Sequence, residues 1–339
     1  MLTIESSTHL GLGRASDGQS LLPRVLPGEE VDVAQDGTVR IVTPSTDRVS
    51  APCRHFKSCG GCAMQHATDD FVAEWKQDIV FKALQARGLS PEFRPIATSP
   101  AQSRRRAKFS ARRTKKGAMV GFHTRASDNV VEVPDCQLLT PKLKESIAAL
   151  EAVTVLACSR KGEIDLTVTE APLGPDVFVA TEKELTPQLR IDIANLANQF
   201  GLSRLVWNDE PVVTINPPTQ DFGGTDVVPP PGAFLQATKH GEATLLNAVE
   251  EITLGARRVI DLFAGCGTFS LPLAKRAEVH AVEGESAMLE ALDLGWREGH
   301  QLRRVTTETR DLFRRPLEAD ELRHFDAAVI DPPRAGAEA

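Results

Sequence analysis

Val259-Ile260-Asp261-Leu262-Phe263-Ala264-Gly265-Cys266-Gly267-Thr268 decides how this chain is read. An apolar run ends in a Gly-x-Gly turn, and a helical pattern follows from Thr268 to Lys275. Glycines at such a turn let the backbone bend tightly and approach a ligand. Glu283 follows Phe263 by twenty residues, at the end of a second apolar run, Val279–Glu283. A carboxylate there is placed to accept the ribose hydroxyls of a bound nucleoside. The loop has one Gly-x-Gly and no pyrophosphate fingerprint, which favours S-adenosylmethionine over a dinucleotide. Two later strand ends fit the same picture. Asp311 is a candidate partner for an adenine amino group, although an aspartate there is often just a loop cap. Asp331-Pro332-Pro333-Arg334 closes a fourth run with a rigid turn where substrate and cofactor would meet. Cys266 sits in the glycine loop as a small filler, and Cys158 has no assigned role.

Outward from that motif, strands at 259–263, 279–283, 305–307 and 327–330 alternate with helices at 268–275 and 286–296. That order predicts an α/β, doubly wound parallel sheet of Rossmann-like class, with ligands at the carboxyl ends of its strands. The proline-rich stretch 217–233 marks a boundary before it. Upstream, residues 51–225 read as a central α+β domain. Phe71, Trp75, Ile79 and Ala83 form one helical stripe, with Asp69 or Asp70 as cap and Gly88 beyond the end. A second helix is predicted over 187–200, among strands at 119–122, 130–133, 164–168, 177–180, 205–207 and 212–215. Residues 1–50 alternate apolar and polar positions between glycines and predict a small β-barrel. The nucleoside-binding domain is taken as 226–339.

The 339 residues suit two or three domains at about 100–200 residues each. With 41% hydrophobic and 25% charged residues, the chain is neither disordered nor collagenous. No stretch approaches the roughly 18–20 apolar residues of a membrane span. MLTIESSTHL lacks the blocks of a signal peptide, so a soluble cytoplasmic protein is expected.

The net charge of −7 argues against a nucleic-acid binder, but the charge is uneven. From Phe93 to Ser127 there is no acid and there are ten Arg or Lys. Arg104, Arg105, Arg106, Lys108, Arg112 and Arg113 crowd a predicted hairpin that turns near Lys115-Lys116-Gly117. Such a patch attracts phosphate backbones, so RNA or DNA is the candidate partner. Alternation along a strand would line several of these charges on one face.

Six cysteines are too few for a disulfide scaffold in a chain of this length. Cys53, Cys59 and Cys62 lie on one short loop with Gly60-Gly61 between the last two, and Cys136 is a plausible fourth ligand. Four thiolates suit zinc or a [4Fe–4S] cluster, and three local plus one distant is the more usual iron–sulfur spacing.

Together these residues resemble the RNA uracil-C5 methyltransferases, which make 5-methyluridine in ribosomal or transfer RNA. The resemblance covers almost the whole chain. Leu26-Pro27-Gly28-Glu29 resembles the end of the family's N-terminal TRAM barrel. Cys53, Cys59, Cys62 and Cys136, with Gln65-His66 nearby, match its iron–sulfur ligands. Ser103–Ala107 with Val120-Gly121-Phe122 resembles its RNA-facing hairpin. Phe234-Leu235-Gln236 is similar to the segment whose glutamine contacts the cofactor. Asp261–Ala274 and Asp331–Arg334 are similar to its first and fourth methyltransferase motifs. The resemblance implies methylation of uracil C5, most readily in 23S ribosomal RNA, with S-adenosylmethionine and a [4Fe–4S] cluster. It implies a monomer with no membrane association. The implied cofactor contacts are Gln236, Phe263, Gly265, Glu283, Asp311 and Asp331.

Uracil C5 is a poor nucleophile, so the family reaction needs a thiolate at C6 and a base for the C5 proton, on a base drawn out of its stack. The family carries that cysteine in a Ser-Cys-Asn-Pro-like motif after the DPPR turn, and its glutamate further on. Neither motif is in this sequence, so no catalytic residue is assigned. Thr238 and Thr268 stand where the family often has asparagine. The resemblance implies more strands than the four counted, roughly 60–70 residues' worth. The sheet is therefore expected to be incomplete and the chain a C-terminally truncated, inactive fragment. The competing readings are a non-catalytic iron–sulfur RNA binder, a transfer-RNA uridine enzyme, an amino-group methyltransferase and a zinc nucleic-acid binder. Arg334 stands where an amino-group enzyme would have a stacking aromatic.

Overall fold

The computed structural model describes residues 1–159, 162–334 and 336. The chain forms two compact units, Met1–Thr98 with Gly121–Gln137, and Ser99–Val120 with Leu138–Ala339.

The first unit opens with five antiparallel strands. Their spatial order is Leu21–Pro23, Leu12–Ala15, Leu2–Ser7, Glu30–Val33, Val39–Thr43. Alternation puts Ile4, Ala15 and Val31 inside, with Val25 joining their core. The expected barrel is thus a sheet with Leu21–Pro23 and Val39–Thr43 as its edges. Glu29 is fully buried beside it. Its carboxylate accepts N–H bonds from Leu26 (2.8 Å) and Ser45 (3.2 Å) and pairs with Arg48. These bonds hold its pKa low against the opposing effect of burial.

The predicted stripe is a helix, Asp69–Gln85. Thr68 is its cap, accepting the Phe71 N–H, while Asp69 and Asp70 occupy the first turn, where the helix dipole favours acids. Phe71 and Trp75 pack on Leu26, Met64 and Ala67, but Ala83 is exposed, so only the first half of the stripe is covered.

In the second unit, strands Glu210–Thr214, Arg204–Trp207, Asp176–Ala180, Glu163–Thr169 and Arg106–Arg113 lie side by side in that order. The hairpin is as expected: Arg106–Arg113 returns as Ala118–His123, and the Thr114 N–H donates to the Gly117 carbonyl across the turn (2.9 Å). Phe109, Leu166, Leu205 and Trp207 are fully buried in this sheet. The helix Pro187–Gln199 begins at the cap Thr186 with proline in its first turn. Pro141–Glu145 and Ile147–Ala157 are helices that the sequence pattern did not indicate. Ile147–Ala157 is apolar almost throughout and buried on most sides, so it shows no clear period.

The second sheet is parallel, in the order Val305–Thr309, Glu278–Glu283, Arg258–Leu262, Ala327–Ile330. Val259, Val279 and Ala281 face one way, onto Phe269, Leu273, Leu289 and Leu292. Ile260 and Val282 face the other way, with Leu312, Leu317 and Phe325. Both faces are therefore covered, as an α/β doubly wound sheet requires. The amphipathic helix Lys239–Ile252, also unanticipated, adds Leu246 and Val249 to the first face. The first strand, Arg258–Leu262, lies inside the sheet, so the order of strand addition reverses beside it, and ligands bind at the carboxyl ends at such a point.

Candidate active site

After Leu262 the chain turns sharply. Phe263 takes φ 62°, Gly265 φ 56° and Gly267 φ 97°. A Cβ on Gly267 would lie 2.9 Å from Leu292 Cγ and 3.1 Å from Leu271 Cγ, so both conformation and space require glycine there. The loop is pinned to the next strand. The Gly265 N–H donates to Glu283 Oε2 (3.0 Å), and the Gly284 and Glu285 N–H groups donate to Oε1 (2.7 and 3.2 Å). Glu283 thus takes two N–H bonds on Oε1 and one on Oε2, and Oε2 keeps acceptor capacity for a hydroxyl.

Asp261 was not singled out as a site residue by the sequence, yet it is the most perturbed acid. It is completely buried. Ser270 Oγ donates to Oδ2 (2.6 Å), and Oδ1 has no partner. Burial pushes its pKa up to about 7, with the charges of Asp331 and Glu283 adding to the effect. Three carboxyls within electrostatic reach, one with an orphan oxygen, suit a cationic ligand. S-Adenosylmethionine carries a sulfonium and an ammonium, so the acids present fit it. The available signal was an aspartate in the middle of an apolar strand.

Asp331 ends the fourth strand and accepts a bond from Gln236 Nε2 (3.1 Å); burial raises its pKa. Asp311 closes its own turn, accepting the Phe313 and Arg314 N–H groups (3.0 and 3.2 Å). Phe263 and Phe313 form a tilted pair 5.6 Å apart at these strand ends. Thr238, where asparagine was the family habit, caps helix Lys239–Ile252 through the Gly241 N–H (2.9 Å). Cys266 is buried, and its thiol is pushed up to about 12, mainly by that burial.

The basic strand divides by alternation. Arg104, Lys108 and Arg113 are exposed, while Arg106 and Arg112 are half-buried. Lys108 pairs with Asp165 (2.7 Å) and Arg112 with Glu163 (2.5 Å). The Arg106 guanidinium lies 5.9 Å from the ring of Phe234, which is 66% exposed. Arg105 corrects its expected RNA-facing role. It is 3% exposed and its guanidinium points inward, onto Glu242, Gln220 and the Gln236 carbonyl.

The cysteines gather in the first unit. Burial raises the Cys62 thiol first, and neighbouring Cys136, Cys59 and Cys53 raise it further. His55 Nε2 contacts Asp135 Oδ1 (2.7 Å) and Arg54 contacts Oδ2 (2.9 Å), tying the segment before Cys136 to the loop. Among the described residues, no three His, Cys, Asp or Glu side chains are drawn together closely enough to hold a metal ion.

A parallel sheet with a carboxylate-pinned glycine loop at its switch point, ringed by acids, is the arrangement of a nucleoside-binding α/β domain. The comparisons narrow this. The chain is 40% identical to an uncharacterised RNA methyltransferase of Rhizobium meliloti, over 97% of this chain and 81% of that protein. It is 31% identical to the 23S rRNA (uracil(1939)-C(5))-methyltransferase RlmD of Chromohalobacter salexigens, over 100% of this chain and 76% of that protein. The fold matches the Pyrococcus abyssi tRNA (uracil-54, C5)-methyltransferase, solved with S-adenosyl-L-homocysteine, at a TM-score of 0.73 and 19% identity. That match runs over 99% of this chain and 84% of the solved one. No protein-family model matches the chain. The chain belongs to the RNA uracil-C5 methyltransferases.

Proposed function

We propose that this chain prepares an unpaired uridine of 23S ribosomal RNA for C5 methylation by S-adenosylmethionine. The observation that carries the reading is Phe234. A large aromatic left 66% exposed beneath an arginine offers a stacking platform for an unstacked base. It lies two residues from Gln236, whose amide reaches Asp331. The exposed cations Arg104, Lys108 and Arg113 on or beside the same strand supply phosphate attraction.

In this reading Glu283 receives the ribose, Asp311 the adenine amino group, and the acids around Asp261 the cationic methionine end. Phe263 and Gly265 shape the cradle. Bound S-adenosylmethionine supplies the electrophilic methyl group. Cys53, Cys59, Cys62 and Cys136 are the proposed [4Fe–4S] ligands on the strength of their spacing and the family resemblance; in this structure the described side chains are not drawn together into a metal-holding group. The cluster would join the loop to Cys136.

None of the six cysteines is the proposed nucleophile. Four belong to the cluster, Cys158 donates to the Gly162 carbonyl (3.0 Å), and Cys266 is buried with its thiol held protonated. The protein is proposed to act as a soluble, cytoplasmic monomer; no described helix is long and apolar enough to cross a membrane.

The test is RNA binding in the presence of S-adenosyl-L-homocysteine. A 23S fragment with an unpaired uridine should bind more tightly than the same fragment with cytidine there, and than transfer RNA. Preference for transfer RNA would redirect the reading, and no preference would refute it. About four irons and four sulfides per chain are expected after anaerobic purification. 5-Methyluridine formed by this 339-residue chain would overturn the assignment of the cysteines.

A further inference from the structure

Arg105 is the most deeply buried member of the arginine run, 3% exposed where Arg106 is half-buried and Arg104 exposed. Its side chain reaches three separate segments. Nε donates to the Gln236 carbonyl (3.1 Å), Nη1 donates to Gln220 Oε1 (3.1 Å), and Nη2 pairs with Glu242 on helix Lys239–Ile252. Its backbone N–H donates to the Ala237 carbonyl (2.9 Å). Gln220 is itself oriented, because its Nε2 donates to the Glu170 carbonyl (2.9 Å) and so turns Oε1 toward the guanidinium. Both partners of the ion pair are buried. Breaking such a pair leaves an uncompensated charge, which keeps the arrangement rigid.

The network meets the cofactor site at two points. One is Gln236, whose backbone is held by Arg105 and whose side chain contacts Asp331 (3.1 Å). The other is the glycine loop, where the Cys266 thiol feels the charges of Glu242 and Arg105. Only a guanidinium supplies donors in the fixed fork that three acceptors on three segments demand; an ammonium is a point charge that satisfies fewer of them.

We propose that Arg105 is a positioning residue for the methyl-donor site: it holds the Gln236 backbone so that the Gln236 amide reaches Asp331. This deepens the proposed function and rests on it. The segment that leaves Arg104 exposed carries Arg105 inward, so one short segment serves both the RNA and the cofactor.

The test is a double-mutant cycle on the full chain, read by calorimetric titration with S-adenosyl-L-homocysteine. Arg105→Lys should weaken binding about tenfold. In a Gln236→Ala background the same change should alter affinity by less than about twofold, because the contact it positions is already gone. RNA affinity at fixed salt should stay unchanged. Equal losses in both backgrounds would overturn the proposal, since a merely structural residue gives additive effects. If Arg105→Lys does not fold, Gln220→Leu removes one anchor only and must show the same non-additivity with Gln236→Ala. Failure of the unaltered chain to bind the ligand would instead overturn the reading of the site itself.

Discussion

Replacing Asp261 with asparagine should remove a pH dependence from folding. The carboxyl is fully buried and burial lifts its pKa from 3.8 to about 7. Between those values the folded chain keeps a proton that the unfolded chain has released. The contribution to stability is therefore whole below about pH 4 and is lost as pH rises through about 7. One proton difference corresponds to about 1.4 kcal/mol per pH unit, and the slope falls off as the folded carboxyl titrates near 7, so the loss from pH 5 to 7 is about 2 kcal/mol. Asparagine is close in shape and still accepts the Ser270 hydroxyl. Urea unfolding of both proteins at pH 5, 6, 7 and 8 measures the difference through the transition midpoints. The unaltered chain should lose about 2 kcal/mol relative to Asp261→Asn between pH 5 and 7, and run parallel to it above about pH 8. Parallel behaviour over the whole range would refute the assignment of a protonated, buried acid beneath the glycine loop.

Gly267→Ala should weaken S-adenosyl-L-homocysteine binding at least about tenfold, because φ 97° and the nearby Leu292 oppose a side chain at a cost of about 1–3 kcal/mol; calorimetry reads it. Phe234→Ala should reduce RNA affinity by about 1–3 kcal/mol without lowering the melting temperature, since the ring is largely exposed; filter binding and a thermal scan check both. Arg48→Met strands the buried Glu29 charge and should destabilise the first unit by about 3–5 kcal/mol, seen as an earlier unfolding transition.

The parallel sheet was legible because three of its four strands are largely apolar runs ending in punctuation that chemistry constrains: Gly265, Glu283, Asp331. The helix Pro187–Gln199 was legible from its first turn and its period. Ile147–Ala157 was not, because a helix buried on most sides loses its polar face and with it the period. Lys239–Ile252 was overlooked although it is amphipathic and capped by Thr238. At the site, residue type and spacing pointed to Glu283 and the family resemblance to Gln236, but neither showed what they touch. Asp311 shows the gap, since the same aspartate is observed capping its own turn. Arg105 shows it more sharply. Three consecutive arginines look alike in sequence, and only the alternation of a strand, together with a glutamate 137 residues away, turns the middle one inward.

The most direct test of the central claim is calorimetric titration of the intact chain with S-adenosyl-L-homocysteine. The account predicts one site per chain, abolished by Glu283→Ala, which unpins the glycine loop. Absence of binding, or binding indifferent to Glu283→Ala, would contradict a methyl-donor site at the carboxyl ends of this sheet.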